Sequence, residues 1–230
     1  MKKTRKFKVV SFDLDDTLVD RSFDYAVWFN EIPRLYAAKH GISFKKALRE
    51  CRRAYDSVGS YRIEWYSIDY WLKRFGLRGE KNRILRDFAH LAEKPFPDAA
   101  PALRSLKRRG YCLIVVSNAS PCFLRVKLEA SGLKRFFHRC FSVTGEFRTV
   151  LKSKRVYSVL CRKLRCLPSE IVHVGDYRDF DFDQPRAAGV TAFLLNRNGE
   201  HKPLNEKESF FIVRDLKEFE KRLLELESKK

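Results

Sequence analysis

Asp13 and Asp15 stand two residues apart in Asp13-Leu14-Asp15-Asp16-Thr17, directly behind a short apolar run. Two carboxylates at the tip of one strand cannot both ionise comfortably unless one keeps a proton or a cation neutralises the pair. A second acidic group, Val174-Gly175-Asp176-Tyr177-Arg178-Asp179-Phe180-Asp181, follows another apolar run and places Asp176 at its tip and Asp181 one loop later. Donors that are all oxygen suit Mg²⁺. A third run ends in Ser117-Asn118-Ala119-Ser120, whose hydroxyls, amide and backbone N–H groups can hold phosphate oxygens at the start of a helix. Lys152-Ser153-Lys154 adds cations just before a further helical segment. Caps and turns use the same residue types, but here three of the four pieces sit at the ends of apolar strands.

The elements that must position these residues can be read from the pattern. Phe7-Lys8-Val9-Val10-Ser11-Phe12 reads as a buried strand ending at Asp13. Residues 23–94 are helical in rhythm, with no strand pattern. Gly41, Gly59, Gly76 and Gly79 divide them into about four helices, and Tyr61, Trp65, Ile68, Leu72 and Phe75 predict one apolar helix face. Pro95-Phe96-Pro97 ends that stretch. Beyond it, strands at 111–116, 141–143, 171–174 and 191–195 alternate with helical segments, the signature of a parallel sheet covered by helices on both faces. The expected architecture is α/β, a Rossmann-like core domain formed by 1–19 and 96–230, interrupted by a small all-helical cap domain over 20–95.

In this order the four pieces resemble the motifs of the haloacid dehalogenase-like superfamily of hydrolases. Asp13, Asp15 and Thr17 match its Asp-x-Asp-x-Thr, Ser117 its strand-terminal Ser or Thr, Lys152 its Lys, and Gly175, Asp176 and Asp181 its Gly-Asp-x-x-x-x-Asp. The sequence departs from the pattern at Ser153, where Pro commonly follows the Lys, and at Phe180, where Asn commonly precedes the last Asp. Lys154 is the competing choice for the lysine.

The resemblance implies a phosphatase similar to phosphoglycolate phosphatases. Asp13 is the nucleophile, Asp15 the general acid and base, and Lys152 the third catalytic residue. Thr17, Ser117 and Asn118 serve the phosphate and its loop. Mg²⁺ is held by Asp13, the Asp15 carbonyl, Asp176 and Asp181. It also implies that Asp15 keeps a proton until substrate arrives. Dehalogenases of the superfamily lack an acid at that place, because halide leaves without a proton. A phosphomutase, which uses the same two carboxylates, is the alternative within the superfamily. The cap carries all three Trp residues, and Tyr66 and Tyr70, off the main apolar stripe, are the cap aromatics expected to touch the leaving group.

The chain has 230 residues, 44% hydrophobic and 33% charged, which excludes disorder as a whole-chain reading. Its 48 Lys and Arg against 29 Asp and Glu give +19 and favour a phosphorylated partner. The surplus lies mainly over 99–175, with 16 basic and three acidic residues. The partner expected is a small phosphorylated metabolite. Nucleic acid is the second candidate, but it lacks a recognition motif and would be repelled by the carboxylates. No apolar run is long enough for a membrane span, and the basic start Met1-Lys2-Lys3-Thr4-Arg5-Lys6 lacks the apolar stretch of a signal peptide. A cytoplasmic monomer is the expectation. The six cysteines form no Cys-x-x-Cys pair and read as reduced.

Overall fold

The structure is a computed structural model and describes residues 5–92 and 94–228; residues 1–4, which begin the basic start noted above, lie outside the described residues with 93 and 229–230. In chain order the elements are β1 (Val9–Phe12), α1 (Ser22–Tyr25), α2 (Ile32–His40), α3 (Phe44–Val58), α4 (Ile68–Arg74), α5 (Lys81–Asp87), α6 (Ala99–Arg108), β2 (Cys112–Ser117), α7 (Pro121–Ala130), β3 (Arg139–Ser142), α8 (Val143–Glu146), α9 (Lys154–Leu164), β4 (Ile171–Gly175), α10 (Gln184–Ala187), β5 (Thr191–Leu195), α11 (Glu206–Ser209), β6 (Ile212–Val213) and α12 (Leu216–Ser228).

The six strands form one parallel sheet in the order β3-β2-β1-β4-β5-β6. The fold is therefore α/β and Rossmann-like. Side-chain alternation along β1 explains its two faces. Val10 and Phe12 join the larger core beneath α6, α7 and α12, where Phe12 meets Phe219 edge-on at 5.9 Å. Val9 points the other way, to Val156, Tyr157 and Leu160 of α9. The chain order reverses beside β1, since β2 and β3 lie on one side and β4, β5 and β6 on the other. Ligands of open α/β sheets bind beyond the strand ends at such a reversal.

Between β1 and β2 the described residues form helices and turns and no strand of the sheet. The insert is more broken than its glycines suggest. Residues 22–40 run on as one helix with a π-helical stretch at Ala26–Glu31 in its middle. The predicted continuous face from Tyr61 to Phe75 is not one helix. Ile63–Tyr66 is a 3₁₀ turn, and Ser67, extended at φ −95° and ψ 106°, starts α4 by accepting the Tyr70 N–H at 3.2 Å. A serine that competes for backbone hydrogen bonds favours such a start over a helix interior. Trp71, Tyr55, Cys51 and Ile84 of the insert belong to the same continuous core as Val10 and Phe12 of the sheet. The insert leaves and rejoins the sheet side by side: Val19 pairs with Pro95, and the Phe96 N–H donates to the Leu18 carbonyl at 3.0 Å.

Beyond the strand at 191–195, the helix α11, the two-residue edge strand β6 and the helix α12 escaped the sequence reading, as did the short helix α8, which begins at Val143 where a strand over 141–143 was expected. No helix among the described residues is long and apolar enough to cross a membrane. The six cysteines are free thiols.

Candidate active site

β1 and β4 run in register, Phe12 beside Val174, and the Asp13 N–H continues the pairing by donating to the Val174 carbonyl at 2.9 Å. This fixes Asp13 at the strand tip next to Gly175 and Asp176. The following turn closes tightly, with Asp16 in the left-handed region at φ 53°, a conformation short polar side chains tolerate better than most. Gly175 has a different reason to be glycine. A Cβ there would fall on the Asp181 carboxylate, so the missing side chain is what lets Asp181 fold back over the tip of β4.

The resulting carboxylates are held by a buried lysine. Lys152 is 1% exposed and its ammonium contacts Asp13 Oδ1 at 2.6 Å and also Asp181 Oδ1. Asp181 further accepts the Tyr177 N–H at 2.9 Å and lies 3.1 Å from His173 Nε2. Because a carboxylate only accepts, Nε2 carries the proton, and Nδ1 accepts from the Ser11 hydroxyl at 2.8 Å. Burial holds His173 neutral, pushing it down to about 4. Asp181 is held below the usual carboxylate range, the Lys152 charge and the His173 hydrogen bond outweighing the cost of burial. Asp13 is pushed up to about 7, chiefly by burial. Asp176 is raised well above its ordinary value, by burial and by the nearby Asp181 and Asp13 charges. Its own contacts are long: the Thr17 hydroxyl at 3.4 Å and Arg21 at 3.6 Å.

Asp13, Asp176 and Asp181 each offer an oxygen within 4.8 Å of the others. Carboxylates this close, two of them driven toward the protonated form, are a donor set that a hard divalent cation satisfies, so the residues fit Mg²⁺. The Asp15 carboxylate is not in that group.

Asp13, Asp15, Ser117, Asn118, Lys152, Asp176 and Asp181 all line one cavity of about 310 Å³. Thr17 is brought near but stays outside the lining; it is fully buried and turns to Asp176. Ser117 Oγ accepts the Ala119 N–H at 3.1 Å, and the Asn118 amide donates to the Val150 carbonyl at 2.9 Å. Asn118 thus ties down the segment that carries Lys152. Lys154 lies at the exposed start of α9 and makes none of these contacts. Of the cap tyrosines, Tyr66 lines the cavity and donates to the Ser60 carbonyl at 3.1 Å, whereas Tyr70 packs on Trp71 and lies outside it.

Sequence reasoning missed four residues here. Lys127 of α7 is 1% exposed; its ammonium reaches Asp15 Oδ1 at 2.5 Å and contacts Asp24. Asp24 lines the cavity, and burial pushes it up to about 6. Arg21 bridges Asp16 at 2.5 Å and Asp176. His173 had a signal, as an imidazole inside an otherwise apolar central strand. Lys127 had none, since a lysine on a helix reads as a solvated charge.

A family model for haloacid dehalogenase-like hydrolases matches residues 7–189. The chain belongs to this family. A GMP/IMP nucleotidase of Escherichia coli is 33% identical over 130 residues, which are 54% of this chain and 54% of the relative. A (S)-2-haloacid dehalogenase of Pseudomonas sp. is 31% identical over 147 residues, 61% of this chain and 63% of the relative. The chain thus spans about half to three-fifths of the length of these curated relatives. The crystal structure of a HAD phosphatase from Thermococcus onnurineus shares the fold with a TM-score of 0.83 at 24% identity, covering 94% of this chain and 98% of that one. Haloacid dehalogenase-like hydrolases with both chemistries, phosphate and halide, are therefore among the relatives.

Proposed function

We propose that this hydrolase is a Mg²⁺-dependent phosphatase of small phosphorylated metabolites, working through an aspartyl-phosphate on Asp13. The observation that carries the proposal is the pairing of Asp13, held at a strand tip by Lys152, with a second carboxylate, Asp15, in the same cavity. A halide leaves without a proton, but an alkoxide needs one, and Asp15, in the same cavity, is the group we assign to give it.

Asp13, Asp176 and Asp181 would hold the metal. When bound, Mg²⁺ supplies charge neutralisation that lets a carboxylate approach a phosphate and stabilises the charge that develops on its oxygens. An Asp13 oxygen attacks phosphorus as the bond to the leaving oxygen breaks, and the Asp15 proton passes to that oxygen. Water then attacks the phosphorus of the aspartyl-phosphate while Asp15 takes its proton, and the Asp13 carboxylate is restored with release of phosphate. Lys127 holds Asp15 Oδ1 and leaves the other carboxylate oxygen for these transfers. Lys152, Ser117 and Asn118, which line the same cavity, would meet the remaining phosphate oxygens, fixed before the charge develops there. The helical insert roofs the cavity through Trp28, Trp65 and Tyr66 and acts as the cap that keeps water from the site.

The test is hydrolysis of p-nitrophenyl phosphate with and without Mg²⁺, in the wild type and in Asp13→Asn. Turnover that needs both the metal and Asp13 supports the reading. Absence of metal-dependent turnover above the mutant defeats it.

A further inference from the structure

Besides the carboxylates, the cavity lining carries a set of aromatic rings. Rings in this lining come from four parts of the chain. Tyr25, Trp28 and Phe29 come from the insert's first helix, Trp65 from the 3₁₀ turn, Phe123 from α7 and Phe180 from the π-helical turn Arg178–Asp183 after β4. They support one another: Trp28 lies 5.3 Å from Phe123 at 33°, and Tyr25 lies 5.2 Å from Phe29. Phe180 stacks on Tyr177 at 4.7 Å. It occupies the position where the family commonly has Asn, so the departure noted in the sequence adds a ring to the wall.

The cations of the lining are accounted for. Lys152 serves Asp13 and Asp181, and Arg21 serves Asp16 and Asp176. Lys127 serves Asp15 and Asp24 from beneath. Arg52 lies over the Phe29 ring at 5.1 Å but does not line the cavity. A leaving group with its own carboxylate would meet Asp24 and aromatic faces, with no cation in the lining left to receive it, and desolvating an unpaired charge is costly. A flat, uncharged ring system meets surfaces that stack on it.

We infer that the preferred substrates are phosphomonoesters whose leaving group carries a planar, uncharged aromatic ring, and that small carboxylated or sugar-like phosphates are poor substrates. The inference rests on the phosphatase reading and narrows it. Two sources share this chemistry, aryl-alkyl phosphates and nucleoside monophosphates.

The experiment compares kcat/KM with Mg²⁺ for benzyl phosphate, guanosine 5′-monophosphate, cyclohexylmethyl phosphate and phosphoglycolate. All four leave as alkoxides of primary alcohols, so leaving-group reactivity is nearly matched. Benzyl phosphate or the nucleotide should exceed phosphoglycolate by 10-fold or more and the non-planar ester by several-fold. Higher turnover of the nucleotide assigns the ring to a nucleobase, higher turnover of benzyl phosphate to an aryl alcohol; both support the inference. Trp28→Leu, and Tyr25→Ala at the exposed mouth where folding is not at stake, should shrink that ratio at least threefold, through KM. Phosphoglycolate turned over as well as the aromatic esters, or an unchanged ratio in both variants, overturns the inference and leaves the phosphatase reading standing. No metal-dependent turnover of any ester overturns both.

Discussion

The Tyr61 hydroxyl donates to Asp179 Oδ2 at 2.9 Å, joining residues 118 positions apart, one in the helical insert and one in the loop after β4. The Tyr61 ring also meets Phe180 edge-on at 5.2 Å. Although Tyr61 is 59% exposed, it is a tie between the roof of the cavity and the loop that carries Asp181.

Tyr61→Phe removes the hydrogen bond and keeps the ring. A hydrogen bond of this kind contributes about 1 kcal/mol, so the contact between the insert and the segment carrying Asp179 should be weakened about fivefold. The expected outcome is a KM raised by about that factor with the chemical step unchanged, read by single-turnover and steady-state kinetics on the same preparation. Tyr61→Ala should exceed it.

Lys127→Met keeps the length and apolar stem of the lysine and removes the ammonium between Asp15 and Asp24. Asp15 then loses the contact that fixes its orientation. A fall in kcat of about 10-fold or more, with KM changed much less, is expected if Asp15 transfers the proton, since misplacing a reacting group costs rate rather than binding. The same substitution leaves two carboxylates without their buried partner, and a loss of about 3 kcal/mol in denaturant unfolding should accompany it.

His173 sets a pH dependence of stability. Its ordinary value is 6.5 and burial lowers it to about 4 in the fold. Between those values the unfolded chain binds a proton that the folded chain does not. The contribution is therefore complete above pH 6.5 and is lost as pH falls toward 4, by about 1.4 kcal/mol per unit. Denaturant unfolding at pH 7, 6 and 5 should show a steeper loss for the wild type than for His173→Asn; parallel slopes would contradict the neutral imidazole.

Mg²⁺ should stabilise the protein independently of any turnover. At a concentration 100-fold above its Kd the gain is about 2.7 kcal/mol, or roughly 5–10 °C in Tm for a chain of this size. Asp13, pushed up to about 7, must lose its proton to serve the ion, so the increment should grow from pH 6 to pH 8. Asp176→Ala should abolish the increment in the same thermal scans.

The sheet was legible in the sequence because central parallel strands are mostly apolar, broken in β1 only by Ser11 and in β4 by His173, and the acidic tips stand out against Val9–Phe12 and Ile171–Val174. The insert was less so. Its apolar spacing from Tyr61 to Phe75 is helical by count, yet one serine hydrogen bond at Ser67 divides it, and Tyr61 spends its ring on the core's loop instead. β6 escaped because two residues make no pattern. The pairing of Lys127 with Asp15 spans 112 positions and leaves no local trace, whereas the strand-tip spacing of Asp13 and Asp15 is itself local.

The crossing at Val19 and Pro95 has one more consequence. The chain departs for more than 70 residues and returns to a neighbouring backbone position, so the sheet meets the same two ends whatever lies between them. Asp13, Asp15, Asp176, Asp181 and Lys152 lie outside that segment, together with Phe123 and Phe180; Asp24 and the rings from Tyr25 to Trp65 lie within it. Under the proposed function, the reacting groups and part of the wall that would meet the leaving group thus lie on opposite sides of one crossing.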